Sequence, residues 1–285
     1  MNRQIRRKTT VAHLGPRGTF CEQAAKKKFP SAKYTLAPYP SISDVFKAVK
    51  SEEADYGVVP VENSLDGSVH LTLDLLLDSD LMVCGEVEHR IVHNLISKPG
   101  TKLETIRIVM SHPQALAQCR LFLEKNLPRA ELREVNSTAK AVELIKHTDN
   151  AGAIGTGAAA KNNRMEIMAR GIEDDPHNFT RFFVLSKEDS PPTGRDKTSL
   201  IFSAKDVPGS LHKILSFFAI RDINLTKIES RPERGKPWKY IFYLDFEGHR
   251  TEDKGLAALE DMEKQCIFVK VLGSYPRSRS GNCHT

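Results

Sequence analysis

A pattern of strand, polar turn and helix recurs through the N-terminal part of the chain. Five times between residues 10 and 162, a short apolar run typical of a buried strand is followed by small polar residues and then by a helical run. Such junctions point the free backbone N–H groups of a helix start at a ligand, and the helix dipole favours negative charge there. The pattern therefore predicts an α/β region that binds a ligand with more than one negative charge. The polar turns are residues 15–20, 62–67, 111–114, 136–138 and 155–157.

The clearest linker runs from Ser190 to Gly194 (SPPTG), because proline and glycine together interrupt regular structure. Beyond it, the order of apolar and helical runs is strand, helix, strand, strand, helix, strand, which is the ferredoxin-like βαββαβ arrangement. A chain of 285 residues is long enough for two domains. We therefore expect a first domain at residues 9–189, a linker at 190–197 and a second domain at 198–275.

The net charge of +6 comes from the two ends of the chain. Six basic residues lie there with no acidic residue among them, which leaves the remainder formally neutral. A nucleic-acid-binding face needs basic residues on folded structure with aromatic residues between them, and the sequence has no such stripe. We expect solvated tails and no nucleic-acid partner. The six residues are Arg3, Arg6, Arg7, Lys8, Arg277 and Arg279.

The cysteines indicate a reducing compartment. They are five in number, widely spaced and without a C-x-x-C pair, which fits free thiols better than a disulfide framework or a zinc site. No apolar run approaches the roughly 18 residues of a membrane span. We expect a cytoplasmic protein without membrane association. The cysteines are Cys21, Cys84, Cys119, Cys266 and Cys283.

The run at residues 178–185 is predicted to be a strand with two chemically different faces. It alternates and is rich in aromatic and β-branched residues. Since side chains two apart on a strand share a face, Asn178, Thr180 and Phe182 are expected to line one wall, while Arg181 points away from it. The alternative is an ordinary half-buried strand with polar residues at its rim.

Three consecutive polar residues, Glu62, Asn63 and Ser64, follow a buried strand predicted at residues 55–61. Ligands in open α/β sheets bind at the carboxyl ends of strands, so these side chains are candidates for a site. A plain turn explains the same residues, and the pattern alone leaves both interpretations open. The glycine loop at residues 15–20 matches neither a P-loop nor a G-x-G-x-x-G fingerprint, which disfavours nucleotide binding.

His89 and His93 invite a metal-site interpretation. Both lie in residues 82–96, which we predict to be one extended segment. On a strand, residues four apart are separated by roughly 13 Å, too far to bind one ion. We therefore expect a strand with two polar rim positions, with no metal site and no cofactor.

Seven short stretches, in this order, resemble the motifs of prephenate dehydratase followed by an ACT regulatory domain. The ordered set is specific, and it spans nearly the whole chain. The stretches are Gly15 to Phe20 (GPRGTF), Pro60 to Ser64 (PVENS), His112 to Gln114 (HPQ), Gly155 to Gly157 (GTG), Asn178 to Phe182 (NFTRF), Val207 to Leu211 (VPGSL) and Ile228 to Pro232 (IESRP).

The resemblance implies a catalytic region folded like a two-lobed periplasmic binding protein, with the substrate between the lobes. It implies that the strand of Thr180 returns the chain to the first lobe. The activity implied is the decarboxylating dehydration of prephenate to phenylpyruvate, in L-phenylalanine biosynthesis. The ACT domain of this family binds L-phenylalanine between subunits and lowers activity, so we expect a homo-oligomer, a dimer or a tetramer, formed through the ACT domains.

The resemblance also implies roles for individual residues, because prephenate carries two carboxylates and a ring hydroxyl. Thr180 is expected to hydrogen-bond the departing hydroxyl, with Glu62, His112 or bound water as the proton source. Arg181 is expected either to brace the lobe or to reach a carboxylate. The carboxylate ligands are expected to be Asn63, Ser64, Gln114 and backbone N–H groups near Thr19, in a pocket completed by Gly18, Phe20, Asn178 and Phe182.

At the ACT domain, the resemblance implies a site for L-phenylalanine. The sequence departs from the usual pattern at Ser210, where alanine is typical, and at His212, where an apolar or aromatic residue is typical; both leave the strength of inhibition open. A domain that only dimerises is the alternative there. For the whole chain, arogenate dehydratase, whose substrate has an amino group in place of the ketone, and a non-catalytic amino-acid sensor remain open. The expected effector residues are Gly209, Ser210, Leu211, Asn224, Leu225, Glu229 and Ser230.

Overall fold

The computed structural model describes residues 8–30, 32–233 and 239–278, which form three β-sheets with helices packed on them. Two sheets build two lobes in the N-terminal region, and the third builds the C-terminal domain. The α/β fold is confirmed. Of the residues singled out in the sequence, Arg3, Arg6, Arg7, Arg279 and Cys283 lie outside the described residues.

The first lobe is built around a mixed six-stranded sheet. The first eight elements of this lobe follow one another along the chain. The sheet is completed by β11 (Phe179–Ser186), which lies about 90 residues further along the chain. The strand order is β2-β1-β3-β11-β5, with β4 paired to β3. The eight elements are β1 (Thr9–Leu14), α1 (Phe20–Lys28), β2 (Tyr34–Tyr39), α2 (Ile42–Lys50), β3 (Tyr56–Asn63), β4 (Gly67–Ser68), α3 (His70–Asp78) and β5 (Met82–Arg90).

The second lobe holds a five-stranded sheet in the order β10-β6-β9-β7-β8, whose strands are given below. Short 3-10 turns at Leu103–Thr105 and Ile145–His147 complete it. The sequence did not indicate β10, a short edge strand without a regular alternation of buried and exposed residues. The elements are β6 (Asn94–Ser97), β7 (Ile108–Ser111), α4 (Pro113–Gln118), α5 (Arg120–Asn126), β8 (Glu131–Glu134), α6 (Thr138–Leu144), β9 (Ala151–Gly155), α7 (Gly157–Asn163) and β10 (Glu166–Arg170).

The chain crosses between the two lobes twice. The prediction of one extended segment at residues 82–96 is wrong, because β5 ends at Arg90 in the first sheet and β6 begins at Asn94 in the second. Local alternation cannot reveal that a segment changes sheets. The second crossing leads into β11, which pairs antiparallel with both β3 and β5. The return to the first lobe is therefore confirmed, and so is the two-lobed arrangement.

The C-terminal domain has the predicted βαββαβ order. Its antiparallel sheet runs β13-β14-β12-β15. The elements are β12 (Asp196–Ala204), α8 (Ser210–Ala219), β13 (Leu225–Pro232), β14 (Tyr240–Glu247), α9 (Asp253–Gln265) and β15 (Cys266–Pro276).

This sheet is buried on both faces. Leu200 and Phe202 point to α8 and α9, whereas Ile201, between them, joins the apolar core of the first lobe. Tyr243 joins the same core and donates a hydrogen bond to the carbonyl oxygen of Leu73, 3.0 Å away. The C-terminal domain therefore shares a core with the first lobe and is not merely tethered by its linker.

Candidate active site

A cleft of about 870 Å³ lies between the two lobes. The first lobe contributes β1, the start of α1, and the ends of β3 and β11, and the second lobe contributes the starts of α4 and α6. Of the sequence-predicted site residues, seven line the cleft. They are Thr19, Phe20, Asn63, His112, Gln114, Thr180 and Phe182.

Helix starts form two walls of the cleft. Thr19 caps α1, where its hydroxyl oxygen accepts a hydrogen bond from the backbone N–H of Glu22 at 3.3 Å. Ser137 caps α6 in the same way, accepting from the backbone N–H of Lys140 at 3.1 Å. The ammonium group of Lys140 lies 2.9 Å from Glu143 on the same wall. Because Glu143 offsets the charge of Lys140, the helix N-termini are what suits this space to a ligand with carboxylates.

Serine before a proline in the first turn, as in Ser111-His112-Pro113, predicts a helix capped by Ser111, but α4 begins differently. Ser111 remains in β7 and donates its hydroxyl to the carbonyl oxygen of Ile154, at 2.8 Å. His112 is the N-cap instead, and its Nδ1 accepts from the backbone N–H of Gln114 at 3.3 Å. Since Nδ1 accepts, the neutral ring carries its hydrogen on Nε2.

The hydroxyl group of Thr180 is oriented by Asn63. The two residues are paired across β11 and β3, and Asn63 Nδ2 donates to Thr180 Oγ1 at 2.9 Å. The amide cannot be reversed, because Asn63 Oδ1 accepts from the backbone N–H groups of Leu65 and Asp66 at 3.0 and 3.1 Å. Thr180 is only 9% exposed and borders the cleft. Its oxygen accepts from Asn63, which leaves its O–H hydrogen to donate to a ligand.

Next to Thr180, four residues form a closed ring of hydrogen bonds. We call this ring the amide ring. Asn63 Nδ2 donates to Asn178 Oδ1 (2.7 Å), Asn178 Nδ2 donates to Gln118 Oε1 (2.9 Å), and Gln118 Nε2 donates to Asp66 Oδ2 (2.6 Å). The backbone N–H of Asp66 returns to Asn63 Oδ1. Gln114 also donates to Asp66 Oδ2. The amide ring therefore joins the first lobe, the second lobe and one crossing segment to the hydroxyl of Thr180.

Sequence reasoning missed three residues of this arrangement: Asp66, Gln118 and His93, whose Nε2 lies 3.0 Å from Gln118 Oε1. Gln118 follows Gln114 by one helical turn, so helical spacing could have indicated it. The sequence predicts Asp66 only as part of a turn and His93 only as a rim position of one long strand, whereas His93 lies in the crossing between β5 and β6. No three histidine, cysteine, aspartate or glutamate side chains within residues 8–30, 32–233 and 239–278 are placed to hold a metal ion.

Glu62 and Arg181 lie on the opposite face of the same strand pair. They are partners in register, so the alternation that sends Asn63 and Thr180 to the cleft sends these two away from it. Glu62 Oε1 lies 2.9 Å from Lys227 Nζ in the C-terminal domain. The structure therefore does not bring Glu62 into the cleft, where a proton source for a bound substrate would have to lie.

Arg181 braces the first lobe against the C-terminal domain. Its guanidinium group lies 2.7 Å from Glu86 and 2.5 Å from Asp245, and it donates to the hydroxyl of Tyr275 at 2.9 Å. Burial alone would lower the pKa of Arg181, but the neighbouring oxygen of Tyr275 and the carboxylates of Asp245 and Glu86 together raise it well above its usual value. Of the two expectations for Arg181, the bracing contact is the one observed.

Two other predicted site residues make structural contacts. Ser64 donates its hydroxyl to the carbonyl oxygen of His177 at 3.1 Å and accepts from the backbone N–H of Phe179 at 2.9 Å, so it fastens the end of β3 to β11. Gly18, with φ at +91°, accepts from the hydroxyl of Thr156 at 2.5 Å. A Cβ on Gly18 would lie 2.8 Å from the Cα of Ala159, so this glycine permits contact between the lobes.

The predicted effector residues are divided between the two faces of β13. Lys227 and Glu229 face the first lobe, where Glu229 contacts Ser68 and lies 3.1 Å from Lys227. Ser230 pairs with Phe242 and shares the other face, toward α8.

The remaining predicted effector residues cluster near the start of α8. The helix begins after Gly209, whose φ is +82°. Leu211 and Leu225 pack beneath it at the edge of the domain core. The carbonyl oxygen of Asn224 accepts from the backbone N–H of Glu247 at 2.9 Å. Ser210 is the first residue of the helix, so it lies with Ser230 on the side away from Glu229.

Comparison with known proteins identifies the family. Residues 11–190 match the prephenate dehydratase family, and residues 198–264 match the ACT domain. The bifunctional chorismate mutase/prephenate dehydratase of Aquifex aeolicus is 48% identical over 275 residues, which cover 96% of this chain and 75% of that protein. The chloroplastic arogenate dehydratase/prephenate dehydratase 2 of Arabidopsis thaliana is 41% identical over 278 residues, covering 93% and 72%. The crystal structure of prephenate dehydratase in complex with L-Phe from Arthrobacter aurescens has a TM-score of 0.88 at 34% identity, covering 95% of this chain and 90% of that one. This chain therefore belongs to the prephenate dehydratase family and carries a C-terminal ACT domain.

Proposed function

We propose that this chain converts prephenate to phenylpyruvate, carbon dioxide and water. The electron pair of the bond to the ring carboxylate moves into the ring as carbon dioxide leaves, and the ring hydroxyl departs with its bonding pair and takes up a proton. Aromatisation of the ring drives the reaction. The protein has to hold a dianion in a reactive pose and assist departure of the hydroxyl group.

The observation that carries this proposal is the orientation of Thr180. Its oxygen is engaged by Asn63, so its hydrogen is free for the leaving hydroxyl of a substrate in the cleft. A hydrogen bond that strengthens as negative charge develops on the leaving oxygen lowers the barrier, and it does so most in a water-excluding site.

Threonine is too weak an acid to supply the proton by itself, so a second group is needed. His112 borders the cleft, and its Nδ1 is occupied by the backbone N–H of Gln114, so Nε2–H is the ring group left to contact a ligand. A neutral imidazole N–H is no stronger an acid than a hydroxyl group, so we assign a water molecule in the cleft as the proton source, with His112 as the group that holds it by a hydrogen bond. The carboxylates are assigned to the helix starts at Thr19 and Ser137 and to Gln114, with Phe20 and Phe182 as the apolar wall.

Regulation by L-phenylalanine is assigned to the ACT domain. The start of α8 and Ser230 lie on one side of β13, the edge strand of the sheet, and Ile228 on that side is 46% exposed. An edge strand presents backbone N–H and C=O groups that another chain can pair with, which supports association of two ACT domains. We therefore propose a homo-oligomer, a dimer or a tetramer, with the effector bound between subunits.

The proposed domains are the catalytic region at 9–189, the linker at 190–197 and the ACT domain at 198–275. We propose the cytoplasm as the location, since Cys21, Cys84, Cys119 and Cys266 are all free thiols. None of the helices in the described ranges combines the length and the apolar character needed to cross a bilayer.

The test is incubation of the purified chain with prephenate and ultraviolet detection of phenylpyruvate, with and without L-phenylalanine. Turnover that L-phenylalanine reduces is the expected result. A parallel assay with arogenate addresses the alternative enzyme, and preference for arogenate would reassign the substrate. Absence of turnover with both substrates, together with heat of L-phenylalanine binding in calorimetry, would replace the enzyme by an amino-acid sensor.

A further inference from the structure

His93 occupies the first crossing between the lobes and is held from several sides. It is 2% exposed, and its ring borders the cleft. Its ring packs perpendicular to the ring of Phe20, with the ring centroids 5.5 Å apart. Its backbone N–H donates to the carboxylate of Glu173 at 2.9 Å. The imidazole therefore has a defined orientation next to the substrate space.

The hydrogen bonds around Gln118 fix the tautomer of His93. Gln118 Nε2 donates to the carboxylate of Asp66, which can only accept, so Gln118 Oε1 faces His93 and Asn178. An oxygen that only accepts requires a donor on His93, so Nε2 carries the hydrogen. Nδ1 is then an unprotonated acceptor, and it has no hydrogen-bond partner among the described residues. Burial lowers the pKa of His93, which favours this neutral form.

We propose that His93 is a positioning residue of the dehydratase site, whose Nε2–H holds Gln118 in the orientation that closes the amide ring and aligns Thr180. The inference rests on the proposed function. Gln118 Oε1 has two donors, His93 and Asn178. Loss of the His93 donor leaves Gln118 Oε1 with Asn178 alone, so the Gln118 amide is held less firmly, and its displacement passes through Asn178 and Asn63 to the hydroxyl of Thr180.

Two substitutions separate this role from simple packing. In His93→Gln the longer side chain carries an amide N–H to the position of Nε2, so the donor to Gln118 is retained. In His93→Asn the shorter amide reaches only the position of Nδ1, so the donor is lost while a neutral polar group remains. Both variants keep the site uncharged and differ mainly in one hydrogen bond.

The experiment measures kcat, KM for prephenate and the thermal unfolding midpoint for the wild-type chain and both variants. We expect His93→Asn to lower kcat about tenfold, the effect of one neutral hydrogen bond, with KM changed less than twofold. We expect His93→Gln to stay within about threefold of the wild type, and the two variants to unfold at similar temperatures.

The inference is overturned if His93→Gln loses as much kcat as His93→Asn, or if neither variant changes kcat. It is also overturned if the loss in His93→Asn is matched by a lower unfolding midpoint, since that indicates a packing defect. Failure of the wild-type chain to turn over prephenate would refute the proposed function itself, which this control detects before any variant is compared.

Discussion

Replacement of Thr180 by valine tests the central step, because valine keeps the branched shape of threonine and removes only the hydroxyl group. The cost to folding follows from the contacts of Asn63. Its Nδ2 has two hydrogens and three acceptors: Asn178 Oδ1 at 2.7 Å, the carbonyl oxygen of Phe179 at 3.2 Å and Thr180 Oγ1 at 2.9 Å. Without Thr180 Oγ1, each hydrogen still has an acceptor, so no buried donor is left unpaired. We expect the free energy of unfolding to fall by less than about 1 kcal/mol.

The cost to catalysis is much larger. Removal of one preorganised donor to a developing negative charge typically lowers kcat by about 10²–10³, equivalent to about 2.7–4 kcal/mol of transition-state stabilisation. We therefore expect Thr180→Val to lower kcat by at least about 100-fold. Thr180→Ser is the matched control, since it restores the hydroxyl at the same carbon and should recover most of the activity.

The assay is the initial rate of phenylpyruvate formation, with urea denaturation of the same preparations for the free energy of unfolding. A Thr180→Val variant that retains more than a tenth of the wild-type kcat would refute the role of the hydroxyl. A loss of more than about 2 kcal/mol in unfolding free energy would show that the valine disrupts the fold, and the loss of activity would then say nothing about chemistry.

Three further predictions concern the lobes, the ACT domain and pH. Lys227→Met removes the cation between Glu62 and Glu229, which links β13 to the face of β3 and β11 that points away from the cleft. We expect L-phenylalanine to inhibit several-fold more weakly, with kcat unchanged. An unaltered inhibition curve would contradict this link. Gly18 has a φ of +91°, and Gly18→Ala places a Cβ 2.8 Å from the Cα of Ala159. We expect a higher KM and a lower unfolding midpoint, measured by kinetics and thermal melts. Values equal to those of the wild type would disprove the close contact between the lobes. Burial lowers the pKa of three histidines below the usual 6.5. Their neutral forms therefore stabilise the fold above about pH 6.5, and this stability is lost as the pH falls through their lowered pKa values. We expect a lower melting midpoint at pH 5.5 than at pH 7.5, and equal midpoints would contradict it. These histidines are His13, His89 and His93.

Local sequence patterns predict many of the helices and strands of this fold. A serine followed by a regular apolar stripe predicts a helix at Ile42–Lys50, and α2 is observed there. The alternation along β11 predicted that Thr180 and Arg181 point to opposite faces, and they do. Both predictions depend on periods of a few residues, which a chain displays whatever its distant contacts are.

The sequence by itself therefore determined most of the elements, the two domains, the family, and the face of the strand on which Thr180 lies. Tertiary structure decided which distant residues meet. Glu62 points away from the cleft and contacts Lys227. The segment around His93 crosses between two sheets. Gln118 belongs to the amide ring with Asn178, which lies 60 residues away in the chain. The physical reason is that the period of a strand or a helix fixes a side chain's direction only relative to its neighbours. The partner it reaches depends on how sheets and domains pack.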